Sequence, residues 1–358
     1  MKKKTINKII KGKICDWLKT IDDESLKDII LNNIIVTGGC ITSMLLNERV
    51  NDFDIYFKTK DAVKRVAQYY ANKFNENNKG RTNKLGKSLH AWILDGKDVE
   101  AWKMGRKKLS DFAYDYPDIN YEDIKGWVYD EDDSLNDTYS NISGMILRTP
   151  PDRIKIIINS DGIAEDSDYI ADSEEYDINA YLDALGDADE ISSDKLETEE
   201  KYKPIFLSTN AITLSNGIQL IVRFYGNPNE IHENFDFIHA TNYWTNSTGV
   251  VLNKKALEAI INKELVYFGS KYPICSLIRT RKFIRRGWQI NAAQYVKMAF
   301  QISELDLNNV YVLEDQLVGV DSIYFLTFIN ILRQKQMKDK DFVVTQDYVT
   351  TVIDKIFG

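Results

Sequence analysis

The chain has 358 residues, 44% of them hydrophobic and 11% aromatic, with a net charge of −8. This allows one large or two ordinary domains with a sizeable core and excludes a disordered chain. No apolar run approaches the ~20 residues that span a bilayer, and Lys8, Lys11 and Lys13 interrupt any signal-like apolar segment, so a cytoplasmic protein without a membrane partner is expected.

The charge is unevenly spread. Residues 161–200 hold 16 Asp/Glu and one lysine, a net of −15, which leaves +7 on the rest of the chain. A basic body carrying an acidic insertion suits a phosphate-handling protein better than the overall charge suggests. With few aromatics and little periodicity, 161–200 reads as a mobile, solvated surface insertion. Cys15, Cys40 and Cys275 are odd in number and widely spaced, as reduced thiols are, and form no metal-ligand pattern. His90, His232 and His239 are too sparse for a histidine-based metal site.

In chain order, residues 21–33 read as a helix with an acidic first turn, and 34–37 as a strand. A short helix is expected at 40–46 and a second strand at 50–57. Residues 61–74 have helical periodicity, with Val63, Val66, Ala67, Tyr70 and Phe74 on one face. Strands are expected at 88–94, 144–149 and 153–159, the last two around the Pro150-Pro151 break. Residues 211–224 read as a hairpin, because two β-rich runs flank Ser215-Asn216-Gly217. From 253 the chain turns helical, at 254–263, 274–286, 292–304 and 321–334. The expected architecture is α+β: a mixed sheet with flanking helices over 1–252, including the acidic insertion, then a helical region over 253–358.

The chemistry concentrates between residues 34 and 57. Gly38-Gly39 follows a strand and opens a helix, where the backbone can approach a ligand and free N–H groups face phosphate. Asp52 and Asp54 are two residues apart on a strand, so both carboxylates share one face. Such pairs repel unless a divalent cation lies between them, and they hold Mg²⁺ against substrate phosphates. Gly-Gly, about a dozen residues and Asp-x-Asp on a strand together resemble the signature of the DNA polymerase β-type nucleotidyltransferase superfamily.

A third acidic ligand on a neighbouring strand is usual for two-metal transfer. Asp236, alternating with Phe235 and Phe237 in a strand-like aromatic run, is the candidate. The run NFDFIHATNYW is similar to the Arg-Arg-Asp-Phe-Thr-Ile-Asn-Ala motif of the tRNA nucleotidyltransferase/poly(A) polymerase group. That group's following helix is matched by Pro273, Arg279, Lys282, Phe283, Gly287 and Trp288. Comparable GGC…DFDIYF and FDF…SLxRxRK combinations resemble those of bacteriophage proteins. Arg279, Lys282 and Arg286 share one helix face suited to phosphate, with Ile274, Leu277, Ile278 and Ile284 expected to point inward.

The resemblance covers roughly residues 25–75 and 205–290, and it departs from the group at several places. Thr42-Ser43 stands where the tRNA-maturing enzymes have Arg-Asp, and Asn234-Phe235 where they have Arg-Arg. Glu314-Asp315 is followed by Gln316-Leu317-Val318, not by a nucleobase-reading motif. CCA addition is therefore not expected.

The resemblance implies a nucleotidyltransferase that moves a nucleoside monophosphate from an NTP to a hydroxyl, an RNA 3′ end first among acceptors, with release of pyrophosphate. Asp52, Asp54 and Asp236 would be catalytic and hold Mg²⁺ or Mn²⁺. Gly38, Gly39, Thr42, Ser43, Arg279, Lys282 and Arg286 would bind the nucleotide. The alternatives are protein nucleotidylation and a non-catalytic RNA-binding or virion-associated module on the same fold.

Overall fold

The computed structural model describes residues 1–81, 90–104, 149–158, 201–208 and 210–307, with 312, 316, 350 and 351 beyond. The acidic insertion, the strand expected at 144–149 except Thr149, and the helix expected at 321–334 lie outside the described residues. Two compact units emerge. Of the described residues, the first takes those up to Ile231 together with Tyr243–Val251; the second takes His232–Asn242 and those from Leu252 onward. Among the described residues no helix is long and apolar enough to cross a membrane.

The first unit is a mixed α+β body. Helix α1 (Lys3–Leu18) buries Ile6, Ile10, Ile14 and Trp17, a stripe at roughly four-residue spacing that its lysines leave dry. Trp17 Nε1 donates to Tyr70 Oη at 2.6 Å. Helix α2 (Glu24–Asn33) starts at Asp23, whose side chain accepts from the Leu26 N–H. Then come β1 (Ile34–Thr37), α3 (Gly39–Leu46), β2 (Phe53–Phe57) and α4 (Lys60–Asn77). Helix α4 is capped by Thr59 and buries every residue of its expected apolar face, Val63, Val66, Ala67, Tyr70 and Phe74.

Strands β3 (Ala91–Asp95) and β4 (Ile154–Ile158) form a separate antiparallel pair, with helix α5 (Gly96–Lys103) following β3. Asp95, at the end of β3, accepts from Lys60 and Lys64 of α4 at 2.6 and 3.0 Å.

Five more strands complete the main sheet: β5 (Pro204–Leu207), β6 (Ala211–Leu214), β7 (Ile218–Tyr225), β8 (Tyr243–Thr245) and β9 (Gly249–Val251). The order is β5-β6-β7-β2-β1-β8-β9, and only the β2–β7 pair is parallel. The β6–β7 hairpin turns through Asn216 and Gly217, both left-handed at φ 63° and 65°, as an Asn-Gly hairpin turn requires. One face of the sheet is fully buried: Val36, Ile55, Leu220 and Ile212 are each 0% exposed.

The second unit is mainly helical, with α6 (Lys254–Asn262), α7 (Pro273–Arg285) and α8 (Ala292–Ser303). Residues 232–242 contribute a 3-10 turn, Ile238–Ala240, against which α6 packs. The core is an aromatic cluster in which the His239 ring lies 4.7 Å from Phe283 and 4.4 Å from Trp288. His239 is 1% exposed, and burial lowers its pKa to about 4 against the opposing pull of Asp236. Burial likewise holds His232 at about 4.

A histidine kept neutral in the fold but titrating near 6.5 when unfolded stabilises fully above that value. The contribution is lost as pH falls from about 6.5 towards 4. His239 should therefore cost about 3 kcal/mol of stability across this window. Thermal melts of His239→Phe should depend less on pH there than those of the wild-type chain. Equal slopes would show that the imidazole is not held neutral.

Candidate active site

The register of the main sheet lays out the site. Asp54 of β2 is paired with Thr37 of β1 on one side and with Gln219 of β7 on the other. Thr37 is in turn beside Tyr243 of β8, and Gln219 beside Thr213 of β6. Residues paired across strands share a face, so Thr213, Gln219, Asp54, Thr37 and Tyr243 form one polar row. The row runs across the face opposite the buried Ile55 and Leu220. Thr37 is buried, whereas Asp54, Gln219 and Tyr243 are half-buried. Asp52 is exposed and precedes the first residue of β2; the strand is thus shorter at its start than the sequence pattern suggests.

Gly38 joins β1 to α3 with φ +96°, and a Cβ built there would lie 2.5 Å from Asp54 Oδ2. The carboxylate is seated directly on the glycine backbone, so the first glycine is required twice over, by conformation and by space. Gly39, the first residue of α3, has open space where its Cβ would be. The two glycines therefore differ. Gly38→Ala should displace Asp54 and destabilise the turn by about 1–3 kcal/mol. Gly39→Ala should keep or slightly raise the melting temperature, since alanine is the better helix former. Melting curves of both variants test this, and equal losses would refute it.

Next along α3, Cys40 is 2% exposed. Burial raises its thiol pKa well above the ordinary value, and the Asp54 and Asp52 carboxylates add to the effect. Both carboxylates thus project their field onto the start of α3. A phosphate approaching the N–H groups there meets two negative charges, which only a cation can offset. The nearby donors are hard oxygens: two carboxylates, the Thr37 hydroxyl and the Gln219 amide oxygen. This chemistry fits Mg²⁺ or Mn²⁺, for which Asp52 and Asp54 would be the anionic ligands. On α3, Thr42 is buried and Ser43 half-buried.

The structure places the remaining expected residues in the second unit. Asp236 does not sit on a regular strand: it precedes the 3-10 turn, and an isolated bridge pairs Phe237 with Tyr267. Its Oδ2 accepts from Arg279 Nη1, and its Oδ1 from the Phe237 N–H at 2.9 Å. The β7 position beside Asp54 holds Gln219, not a third carboxylate. Among the described residues no group of three or more His, Cys, Asp or Glu side chains is placed to hold a metal ion.

Helix α7 also turns a different face inward than its apolar residues predict. Ile274, Cys275, Ser276 and Thr280 are buried, while Leu277 and Ile284 are 41% and 46% exposed. Small and weakly polar side chains fill the close contact, and Ser276 and Thr280 bond back to the helix carbonyls of Tyr272 and Leu277. Of the basic trio, Arg279 is engaged with Asp236, whereas Lys282 and Arg286 are exposed.

The class of protein defined here is an α+β one, with an aspartate pair beside a glycine turn on the half-open face of a mixed sheet. The chain belongs to the Gabija anti-defense 2 (Gad2) family, whose sequence model matches residues 8–263. The match takes in Gly38, Asp52, Asp54 and Asp236 and stops short of α7. Neither a curated protein nor a solved structure matches the chain.

Proposed function

We propose that this protein is a divalent-metal-dependent nucleotidyltransferase of the polymerase β type, and that the transfer serves the anti-defense role in the family's name. The observation that carries the reading is the Asp54 carboxylate seated on Gly38, with Asp52 two residues before it and α3 starting at the same turn. A bound divalent cation supplies charge neutralisation between the carboxylates and the phosphates.

The chain's own residues do the rest. Asp52 and Asp54 would hold that cation at the glycine turn. The glycine turn admits the triphosphate to the backbone N–H groups of α3. Thr37 and Gln219, on either side of Asp54, fix its position within the sheet row. The acceptor oxygen bonds to the α-phosphorus while the bond to the pyrophosphate oxygen breaks. The hydroxyl proton leaves through the carboxylates to solvent.

The acceptor class follows from incubating the full chain with each α-labelled NTP, Mg²⁺ or Mn²⁺, and pooled RNA. Label entering RNA is the expected result, and label entering a protein would make the reaction protein nucleotidylation. Label in neither, with every NTP, would overturn the enzyme reading. A second reading, a non-catalytic binding module, draws on Asp236, whose carboxylate is engaged by Arg279. Calorimetry with Mg²⁺ and NTP separates the two, since a module without metal-dependent nucleotide binding gives no heat.

A further inference from the structure

The first unit carries a second feature on the other face of its sheet. Trp244 is the β8 residue beside Val36, one position along from Tyr243, so its ring turns away from the carboxylate row. There α1 and the β8–β9 turn enclose a groove of about 590 Å³, with Lys3, Lys4 and Lys11 on one wall and Asn246, Ser247 and Thr248 on the other. Its floor is fixed. Trp244 is 2% exposed, and its Nε1 donates to Asn7 Oδ1 at 2.8 Å. The turn is held by Thr245, whose Oγ1 accepts from the Thr248 N–H at 3.1 Å and lies 2.7 Å from the Thr248 hydroxyl. All three lysines are exposed, and among the described residues no acidic one lines the groove.

We infer that this groove binds the phosphodiester backbone of a nucleic acid. Lys4 and Lys11 lie ~10.5 Å apart along the helix axis, which spans about three phosphates of a stacked strand. The amide and hydroxyls on the facing wall are donors that suit phosphate oxygens. Lysine is a usual phosphate binder and pairs as a point charge, and a row of them along one helix matches the regular charge spacing of a phosphodiester strand. Among the described residues Trp244 is the one aromatic ring lining the groove; it is buried in the floor and offers no stacking platform. Recognition is therefore of the backbone and independent of base sequence. The site is separate from the carboxylate pair and stands whether or not the protein transfers nucleotides.

The test is fluorescence anisotropy of a labelled single-stranded RNA with the full chain over a series of salt concentrations. Replacing Lys3, Lys4 and Lys11 with Gln should weaken binding and reduce the log–log salt slope by ~2, about 0.7 for each lost phosphate contact. Each single replacement should supply about a third of that change. A charge-matched control, Lys79→Gln with Lys254→Gln and Lys255→Gln, removes exposed lysines from elsewhere and should leave the slope nearly unchanged. The titration contains neither NTP nor divalent metal, so a failure of the transferase reading remains distinguishable. Equal losses in control and groove variants would overturn the inference. So would polyglutamate that displaces the RNA as well as unlabelled RNA does.

Discussion

Asp54→Asn should abolish nucleotidyl transfer, by roughly three orders of magnitude, while leaving the protein folded. The substitution is nearly isosteric, so the contact with Gly38 survives, but the anionic oxygen needed to bind a cation is gone. Asp52→Asn should act in the same direction. It carries less structural risk, because Asp52 is exposed and precedes β2. Melting temperature in metal-free buffer should hold or rise slightly, since either change relieves repulsion between neighbouring carboxylates. Transfer assays and melts on the single and double variants check both halves. Ordinary turnover in the double variant would sink the proposed chemistry, and a collapse in stability would mean that the pair holds the sheet together.

In the second unit a large stability effect is expected at Arg279. Its guanidinium neutralises Asp236, whose side chain is 9% exposed. Arg279→Gln leaves that carboxylate buried without its counter-charge, at a cost of about 2 kcal/mol, reduced from the fully buried case because Arg279 is itself partly exposed. Lys282→Gln and Arg286→Gln replace exposed side chains, and each should stay within about 0.5 kcal/mol of wild type. Denaturant unfolding of the three variants tests the contrast; equal shifts would show that the ion pair has no special weight. Asp236→Asn adds a functional arm. If it lowers stability yet keeps transfer, Asp236 is a structural partner of Arg279 and leaves the list of metal ligands.

Some of these residues could be read from the chain and others could not. The face of α4 was legible because its apolar residues recur at helical spacing over about three turns. The β6–β7 hairpin was legible because Asn-Gly selects one turn geometry. Helix α1 was obscured by the lysines that interleave its buried isoleucines. Around Asp236, Phe-Asp-Phe alternates as a strand does, but the chain there turns into a 3-10 helix. On α7, the buried face contains Cys275, Ser276 and Thr280, residues that a hydrophobic pattern does not select. Gln219 and Tyr243 are not marked in the sequence at all, because they join Asp54 and Thr37 only through strand pairing between distant segments. The pair Asp52 and Asp54 is local and was visible; the row around it is not local.

That pairing also orders events on the ribosome. Strand β2 ends at residue 57, while its parallel neighbour β7 begins at residue 218. During synthesis, β1 and β2 can associate early, but the other edge of β2 stays open until the chain has grown through β7. Contacts of such long sequence separation form slowly, and an open central edge invites pairing with the wrong chain. A fragment ending before residue 218 keeps both aspartates yet loses the strand that covers β2. Its insolubility would say nothing about their chemistry, and fragments made for assay need residues 201–251 as much as 34–57.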